Sequence, residues 1–252
     1  MIYRLTYPSG EYEVKGYLGI PDAPSLKTYP GIIYCRGGIY RVGMVNLHWI
    51  QDFINRGFVV LAPSYRGNEG GQGRDQFGGA DVADTNAAVH ILQALPMVQS
   101  NNISIMGFSR GAVNAFQTAL QETSISRLVL WGGVSDLCAT YDERPDLRKM
   151  LRRVVGGTPS KNFKAYQTRS AIWHVNDWRC KTLIMHGTND IQVDVSHAKK
   201  LHQALKEAGK DTELRLYHGF GHHLPPQVHD AVLDQMVRWL NESTLPPIRQ
   251  LE

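Results

Sequence analysis

Apolar and polar side chains alternate from the first residues of the chain, over 2–6 and again over 12–20, with Pro8-Ser9-Gly10 between the two runs. A period of two is that of a strand with one buried face, so the pattern predicts an antiparallel hairpin turning at Pro8-Ser9-Gly10. A loop is expected over 21–30. Beyond it the pattern changes: 31–35, 58–62, 103–106, 127–131 and 182–186 are short apolar runs, and 212–217 reads as a last strand. Between them the apolar spacing switches to three and four, the period that gathers side chains on one helical face. Residues 47–55 form one such segment. A second opens at Asp81 and carries Val82, Thr85, Val89 and Leu92, with acids in its opening turn favoured by the helix dipole. Val113, Phe116 and Leu120, then Ala198, Leu201, Leu205 and Ala208, and finally Val228, Val232, Met236 and Leu240 complete the set. Pro96 and Gly209 supply stops, and the Pro246-Pro247 tail is expected to fray.

Strands that alternate with helices pair in parallel, and strands apolar throughout need cover on both faces. The expected architecture is α/β: a mostly parallel central sheet of about eight strands, with the N-terminal hairpin as an antiparallel edge and helices on both sides. Over 132–179 the alternation stops, leaving charged helical pieces near 145–155 and no strand. This predicts a helical insertion or lid within a single domain spanning 1–252. In such open sheets ligands bind outside the carboxyl ends of the strands.

Composition narrows the classes of function. The 252 residues are 42% hydrophobic and 20% charged, enough for a sizeable core, and the formal charge of +4 is scattered along the chain. Only Arg148, Arg152 and Arg153 cluster, so neither nucleic acid nor a membrane surface is an expected partner. No segment approaches a membrane span or reads as a leader. Cys35, Cys138 and Cys180 are odd in number and lack metal or redox spacing, which points to a reducing, cytoplasmic setting and to buried small hydrophobes. No metal or other cofactor is expected.

The chemistry sits at the end of the third apolar run. Residues 103–106 break into Gly107-Phe108-Ser109-Arg110-Gly111 and then into a helical pattern. Strand, sharp turn and helix in that order make a nucleophile elbow, in which the serine hydroxyl projects and flanking glycines permit close backbone approach. A serine hydroxyl is a weak nucleophile, so Ser109 needs a base and a group to orient that base. Among the 10 histidines, His222 in Gly219-Phe-Gly-His222 follows the last strand and is best placed; His218 and His223 are near rivals, and His186 stands at a strand end. Asp190, after His186-Gly187-Thr188-Asn189, is the candidate acid, with Asp194 and Asp136 as alternatives; Asp194 also suits a helix cap. Stabilising the oxyanion takes about two donors. The backbone N–H of Arg110 is the first candidate, and that of Gly38 or Ile39, beyond the 31–35 strand, the second.

Ser109, Asp190 and His222 in that chain order, with the Gly37-Gly38 turn, resemble the α/β-hydrolase fold, and within it the catalytic domain of prolyl-oligopeptidase-like serine peptidases. Tyr65-Arg66-Gly67-Asn68, Asp81-Val82-Ala83-Asp84, the elbow, His186-Gly-Thr-Asn-Asp190 and Gly219-Phe-Gly-His222 carry the resemblance. It implies that Ser109, Asp190 and His222 form the triad and that the segment after Gly37-Gly38, with Tyr40, is an oxyanion and substrate loop. Two departures modify it. The first parallel strand starts near Gly31, so no propeller is expected ahead of it. Arg36 also stands where the family often has Tyr or His, so a tyrosine-type oxyanion donor is not expected; Arg36 either holds a substrate carboxylate or pairs with a structural acid. The expected activity is hydrolysis of small esters or short peptides through an acyl-enzyme, by a peptidase or a carboxylesterase. Tyr141 and Trp173 are candidate pocket residues from the insertion, and Asp142-Glu143 either hold a substrate amino terminus or form a surface pair. The alternative on this fold is a non-catalytic ligand-binding or sensor protein.

Overall fold

The computed structural model describes residues 1–22 and 28–242. The loop expected over 21–30 is described only at its ends, and Pro246-Pro247 lie outside the described residues. Among the described residues there are eight strands: β1 (Ile2–Ser9), β2 (Tyr12–Gly19), β3 (Tyr29–Cys35), β4 (Val59–Pro63), β5 (Val98–Phe108), β6 (Ile125–Trp131), β7 (Lys181–Gly187) and β8 (Thr212–Tyr217). They form one sheet in the order β1-β2-β4-β3-β5-β6-β7-β8. β1 pairs antiparallel with β2, and β2 with β4; every later pair is parallel. The mostly parallel sheet with an antiparallel hairpin at one edge is thus as expected.

The hairpin turn is not where its residue types suggested. Pro8 and Ser9 belong to β1, opposite Glu13 and Tyr12, and the chain turns at Gly10 and Glu11. As the outer strand, β1 tolerates a proline that lacks an N–H. Ser9 is also drawn inward, its hydroxyl donating to the buried carboxylate of Asp84 at 2.6 Å.

Helices cover both faces. On one side lie α1 (Leu47–Asn55) and the closing helix α8 (Pro226–Asn241). On the other lie α2 (Val82–Ala94), α3 (Gly111–Gln121) and α7 (Ser196–Glu207). Alternate strand residues feed the two cores: Ile33, Leu61, Ile105, Leu128 and Ile184 meet α2, α3 and α7, while Ile32, Val60, Met106, Val129 and Leu183 meet α1 and α8. Burial on both faces is why these strands are apolar throughout.

Between β6 and β7 lie three short helices, α4 (Leu137–Glu143), α5 (Arg148–Val155) and α6 (Phe163–Thr168), with brief 3-10 turns and no strand among the described residues. Leu137, Leu151, Val155, Tyr166 and Trp178 join this segment to the α3/α7 core. It is also fastened by His197 of α7: Nδ1 accepts from the Ser135 and Asp136 N–H groups at 3.2 and 3.3 Å, and Nε2 lies 3.1 Å from Glu143 Oε2. Glu143 is therefore committed within the fold.

Candidate active site

The parallel register aligns the ends of five strands. Cys35 lies opposite Gly107, Phe108 opposite Trp131, Trp131 opposite Met185, and Gly187 opposite Tyr217. The residues that follow each strand therefore meet on one rim, and Gly38, Ser109, Asp190 and His222 all come from these segments.

Ser109 turns the chain between β5 and α3 with φ 56°, a left-handed conformation that costs a non-glycine residue on the order of 1–3 kcal/mol. Its surroundings hold it there. Its N–H donates to Trp131 O at 2.9 Å, and its carbonyl accepts from Ala112 and Val134 at 3.1 and 3.2 Å. Gly37 passes so close that a Cβ on it would stand 3.0 Å from Ser109 Cβ.

The His222 imidazole is buried against the Phe108 ring, 4.8 Å between centroids, and its Nδ1 lies 2.6 Å from Asp190 Oδ2. Its Nε2, at the opposite edge of the ring, is left for other partners. The carboxylate of Asp190 is fixed by more than this one contact: its Oδ1 accepts from the Gln192 and Val193 N–H groups at 2.8 and 3.0 Å. His186, fully buried beneath it, places Nε2 3.3 Å from Oδ2 and 2.9 Å from Val193 O. Burial alone would raise the Asp190 carboxyl. Hydrogen bonds from His186 and His222, the charge of His222 and the Val193 N–H outweigh it and hold the group well below the usual carboxylate range.

Of the other candidates for base and acid, His223 packs its ring edge-on against His222, 5.3 Å between centroids, and the rest serve elsewhere. His218 is exposed, and His186 is the buried support just described. Asp194 accepts from Ser196 N–H at 2.8 Å at the start of α7, and Asp136 caps α4 through the Cys138 and Ala139 N–H groups. Asp136 is thus the N-cap of α4, and Asp194 sits just ahead of α7.

Arg110 explains how the elbow is anchored. Its guanidinium is buried between the rings of Tyr65 and Phe77, 4.3 and 5.2 Å from their centroids. It donates to Asp75 Oδ1 at 2.6 Å and to Asp81 Oδ2 at 2.7 Å. Asp81 also accepts from the N–H groups of Gln76, Gly78 and Gly79 and from Asn114. Burial would raise the Asp81 carboxyl, but the charge of Arg110 and these donors lower it instead. The acids that read as dipole-complementing residues at the start of α2 thus form buried ion pairs, Asp81 with Arg110 and Asp84 with Arg66. Asp75 gives no sign in the sequence because it lies in a glycine-rich stretch without periodicity.

A cavity of ≈ 390 Å³ opens over Ser109 and His222. The 37–46 segment supplies Gly37, Gly38, Ile39, Val42 and Met44 to its wall; the 132–179 segment supplies Val134, Thr140, Arg144, Leu147 and Met150. Gly38 (φ 63°) makes a turn in which a Cβ would overlap Val42 O, so its glycine is a backbone requirement whatever its N–H does.

The four residues expected to touch substrate are absent from this wall. Arg36 is buried and donates to four carbonyls, those of Gly37, Val42, Gly43 and Ser64, 3.7 Å from Asp75. It braces the loop, the structural option of the two weighed for it. Tyr40 stacks under Arg153, Tyr141 packs edge-on against Tyr166, and Trp173 is half-exposed against Phe163. Aromatic character singles these residues out, whereas the two loop segments over the cavity mostly supply aliphatic side chains, Ile39, Val42, Val134 and Leu147 among them, that nothing in the sequence distinguishes from core.

Among the described residues no cluster of His, Cys, Asp or Glu is arranged to hold a metal, and no helix is long and apolar enough to cross a membrane. The cysteines are free; burial pushes the Cys35 thiol up to about 12.

The geometry and the sequence both have relatives. Residues 45–245 match the family model described as the prolyl oligopeptidase family. An uncharacterized peptidase of Bacillus subtilis, YtmA, is 41% identical over 240 residues, covering 95% of this chain and 93% of its own. Dipeptidyl-peptidase 5 of Porphyromonas gingivalis is 25% identical over 243 residues, and this chain spans 35% of its length. Among solved structures, the uncomplexed acylaminoacyl peptidase of Pyrococcus horikoshii superposes with a TM-score of 0.82 at 16% identity, over 100% of this chain and 43% of the other. A puromycin-hydrolyzing peptidase of Mycobacterium tuberculosis gives 0.81 at 24% identity, over 95% and 38%. These neighbours share the α/β-hydrolase fold, and by the family model and the B. subtilis relative the chain belongs to the prolyl oligopeptidase family of peptidases.

Proposed function

We propose that the chain is a serine hydrolase that cleaves short peptides and small esters through an acyl-enzyme on Ser109. The observation that carries this is the buried 2.6 Å contact between His222 Nδ1 and Asp190 Oδ2, at a rim where Ser109 is held at φ 56° on the same cavity. Asp190 fixes the tautomer in which Nδ1 bears hydrogen, so Nε2 is the basic nitrogen. Ser109 Oγ attacks the substrate carbonyl as Nε2 takes its proton. The oxyanion is met by the N–H of Arg110 and that of Gly38 or Ile39; losing one such donor costs about 3 kcal/mol in the transition state. As the C–N or C–O bond breaks, the proton passes from Nε2 to the leaving group. Water then attacks the acyl-enzyme with His222 again as base, releasing the acid and restoring Ser109.

The aliphatic wall of Ile39, Val42, Val134, Leu147 and Met150 suits an apolar acyl side chain, with the 132–179 segment as a fixed wall fastened to the core. The test is a panel of p-nitrophenyl acyl esters of rising chain length beside aminoacyl and prolyl p-nitroanilides. Cleavage of anilides with apolar acyl groups at efficiencies comparable to esters is expected of a peptidase. Cleavage of esters alone would make the protein an esterase, and no turnover by folded protein would overturn the proposal.

A further inference from the structure

His222 borders a second cavity. Of ≈ 450 Å³, it shares Asn46, Trp49, Phe108, His222 and His223 with the first. Ser109, Arg110, Gly38 and Ile39 line only the first. The division has a chemical consequence that rests on the hydrolytic reading above. The acyl group and its oxyanion belong beside Ser109 and the amides, whereas the group that takes the proton from His222 departs on the side where the imidazole is present without the serine.

The second cavity has its own chemistry. Trp49, Trp131 and His229 form an aromatic stack on its wall, with centroids 5.1 Å apart for Trp49–Trp131, 5.0 Å for Trp49–His229 and 5.3 Å for Trp131–His229. Asp52 lines the same space, and its carboxylate has no cation or hydrogen-bond donor among the described residues. Asp230, also on the wall, shares Arg56 with Asp234 at 2.5 and 2.7 Å. Asp52 and Asp230 thus place two carboxylates on this wall, and the one guanidinium beside it is held by Asp230 and Asp234. Burial pushes His223 and His229 below the ordinary imidazole value, so neither supplies compensating charge near neutral pH. His229 Nε2 is itself buried without a partner.

We propose that this second cavity is the leaving-group subsite and that it receives a planar cation, the arginine side chain of the residue that follows the scissile bond. A guanidinium stacks its plane on an aromatic face and keeps its edge N–H groups for a carboxylate; an ammonium has no plane to stack and an apolar side chain does neither. Its spare N–H groups also suit the unpartnered nitrogen of His229.

Acyl transfer tests the subsite separately from the acyl pocket. A p-nitrophenyl acyl ester loads Ser109 with release of p-nitrophenol, and an added amino-acid amide competes with water for the acyl-enzyme. The amine nitrogen attacks the acyl carbon, its proton passes to His222 Nε2 and on to Ser109 Oγ, and the Ser109 C–O bond breaks to give an acyl-amino-acid amide. The measurement is the ratio of that amide to free acid, by chromatography, with argininamide, leucinamide and glutamic acid α-amide at equal concentration. Because both products derive from one acyl-enzyme, a variant that only loosens the fold lowers them together. Argininamide is expected to be captured about tenfold better than leucinamide, a difference of about 1.4 kcal/mol, and the acidic amide least. Asp52→Asn should bring argininamide to within about twofold of leucinamide, and Asp52→Glu should restore the preference. Capture that follows amine basicity alone, or an unchanged preference in Asp52→Asn, would overturn the subsite while leaving the hydrolase reading intact. Folded protein that releases no p-nitrophenol would remove both.

Discussion

Ser109, His222 and Asp190 are legible in the sequence because each closely follows a strand pattern, and parallel strands bring such positions to one rim. The side chains that hold them are not. Arg110 stands beside Ser109 without a visible partner in the sequence, since Asp75 comes from a loop and Asp81 from the N-terminus of α2, and their meeting with the elbow depends on the whole sheet. The prediction here is that Asp81→Asn, which leaves the buried guanidinium short of a counter-charge, destabilises the protein by about 3–5 kcal/mol in urea unfolding. An unchanged midpoint would mean that Asp75 and the Tyr65 ring suffice. The two neighbouring histidines offer a sharper contrast. His222→Ala is expected to lower turnover by several orders of magnitude and His223→Ala little, because of these two it is His222 that bonds to Asp190; the reverse result in steady-state kinetics would reassign the base. The expected substrate residues that do not line the cavity share a feature. Arg36, Tyr40, Tyr141 and Trp173 carry side chains able to bind a substrate, and the fold uses them instead to brace loops and pack helices.

The elements are easier to place than their edges. Period-two and period-3.6 patterns locate every strand of the sheet and its flanking helices, but the β1–β2 turn lies beyond the proline that signals it, because an edge strand can absorb a proline. The start of β5 is hidden by Gln99, Ser100, Asn101 and Asn102, polar residues that nonetheless continue the strand. The junction of β3, β5 and α3 is tight: a Cβ on Gly111 would overlap Cys35 O and lie 2.6 Å from Arg36 O. Gly111→Ala should therefore push α3 off the sheet, costing about 1–3 kcal/mol in denaturant unfolding and displacing Ser109 enough to reduce turnover. Wild-type stability and turnover together would show that the junction yields. The 132–179 segment reads as a lid because it lacks periodicity, yet it is sewn down by His197 and by side chains that enter the core. Its helices are short and its contacts distant in sequence, so no local pattern reports how it sits.

Charge and burial across the fold set its response to acid. Burial pushes His197, His202, His223 and His229 below the ordinary imidazole value. The unfolded chain therefore binds protons at these positions first as pH falls, so their contribution is present above about pH 6.5 and is lost below it. Asp190 acts in the same sense at lower pH: its folded value is depressed, so its contribution is present above about pH 3.9 and fades as pH drops toward the folded value. Urea midpoints are expected to fall between about pH 7.5 and about pH 5. His197→Asn, which keeps an acceptor near the Ser135 and Asp136 N–H groups but cannot titrate, should flatten that fall; an unchanged slope would remove His197 from the account. These charges and contacts form the frame around one hydroxyl. The most direct test of that hydroxyl is labelling of the folded protein with a fluorophosphonate probe, followed by peptide mapping. Modification confined to Ser109, lost in Ser109→Ala and strongly slowed in His222→Ala, is the expected result; a folded wild-type protein that takes up no probe, or takes it up at another residue, would contradict the nucleophile.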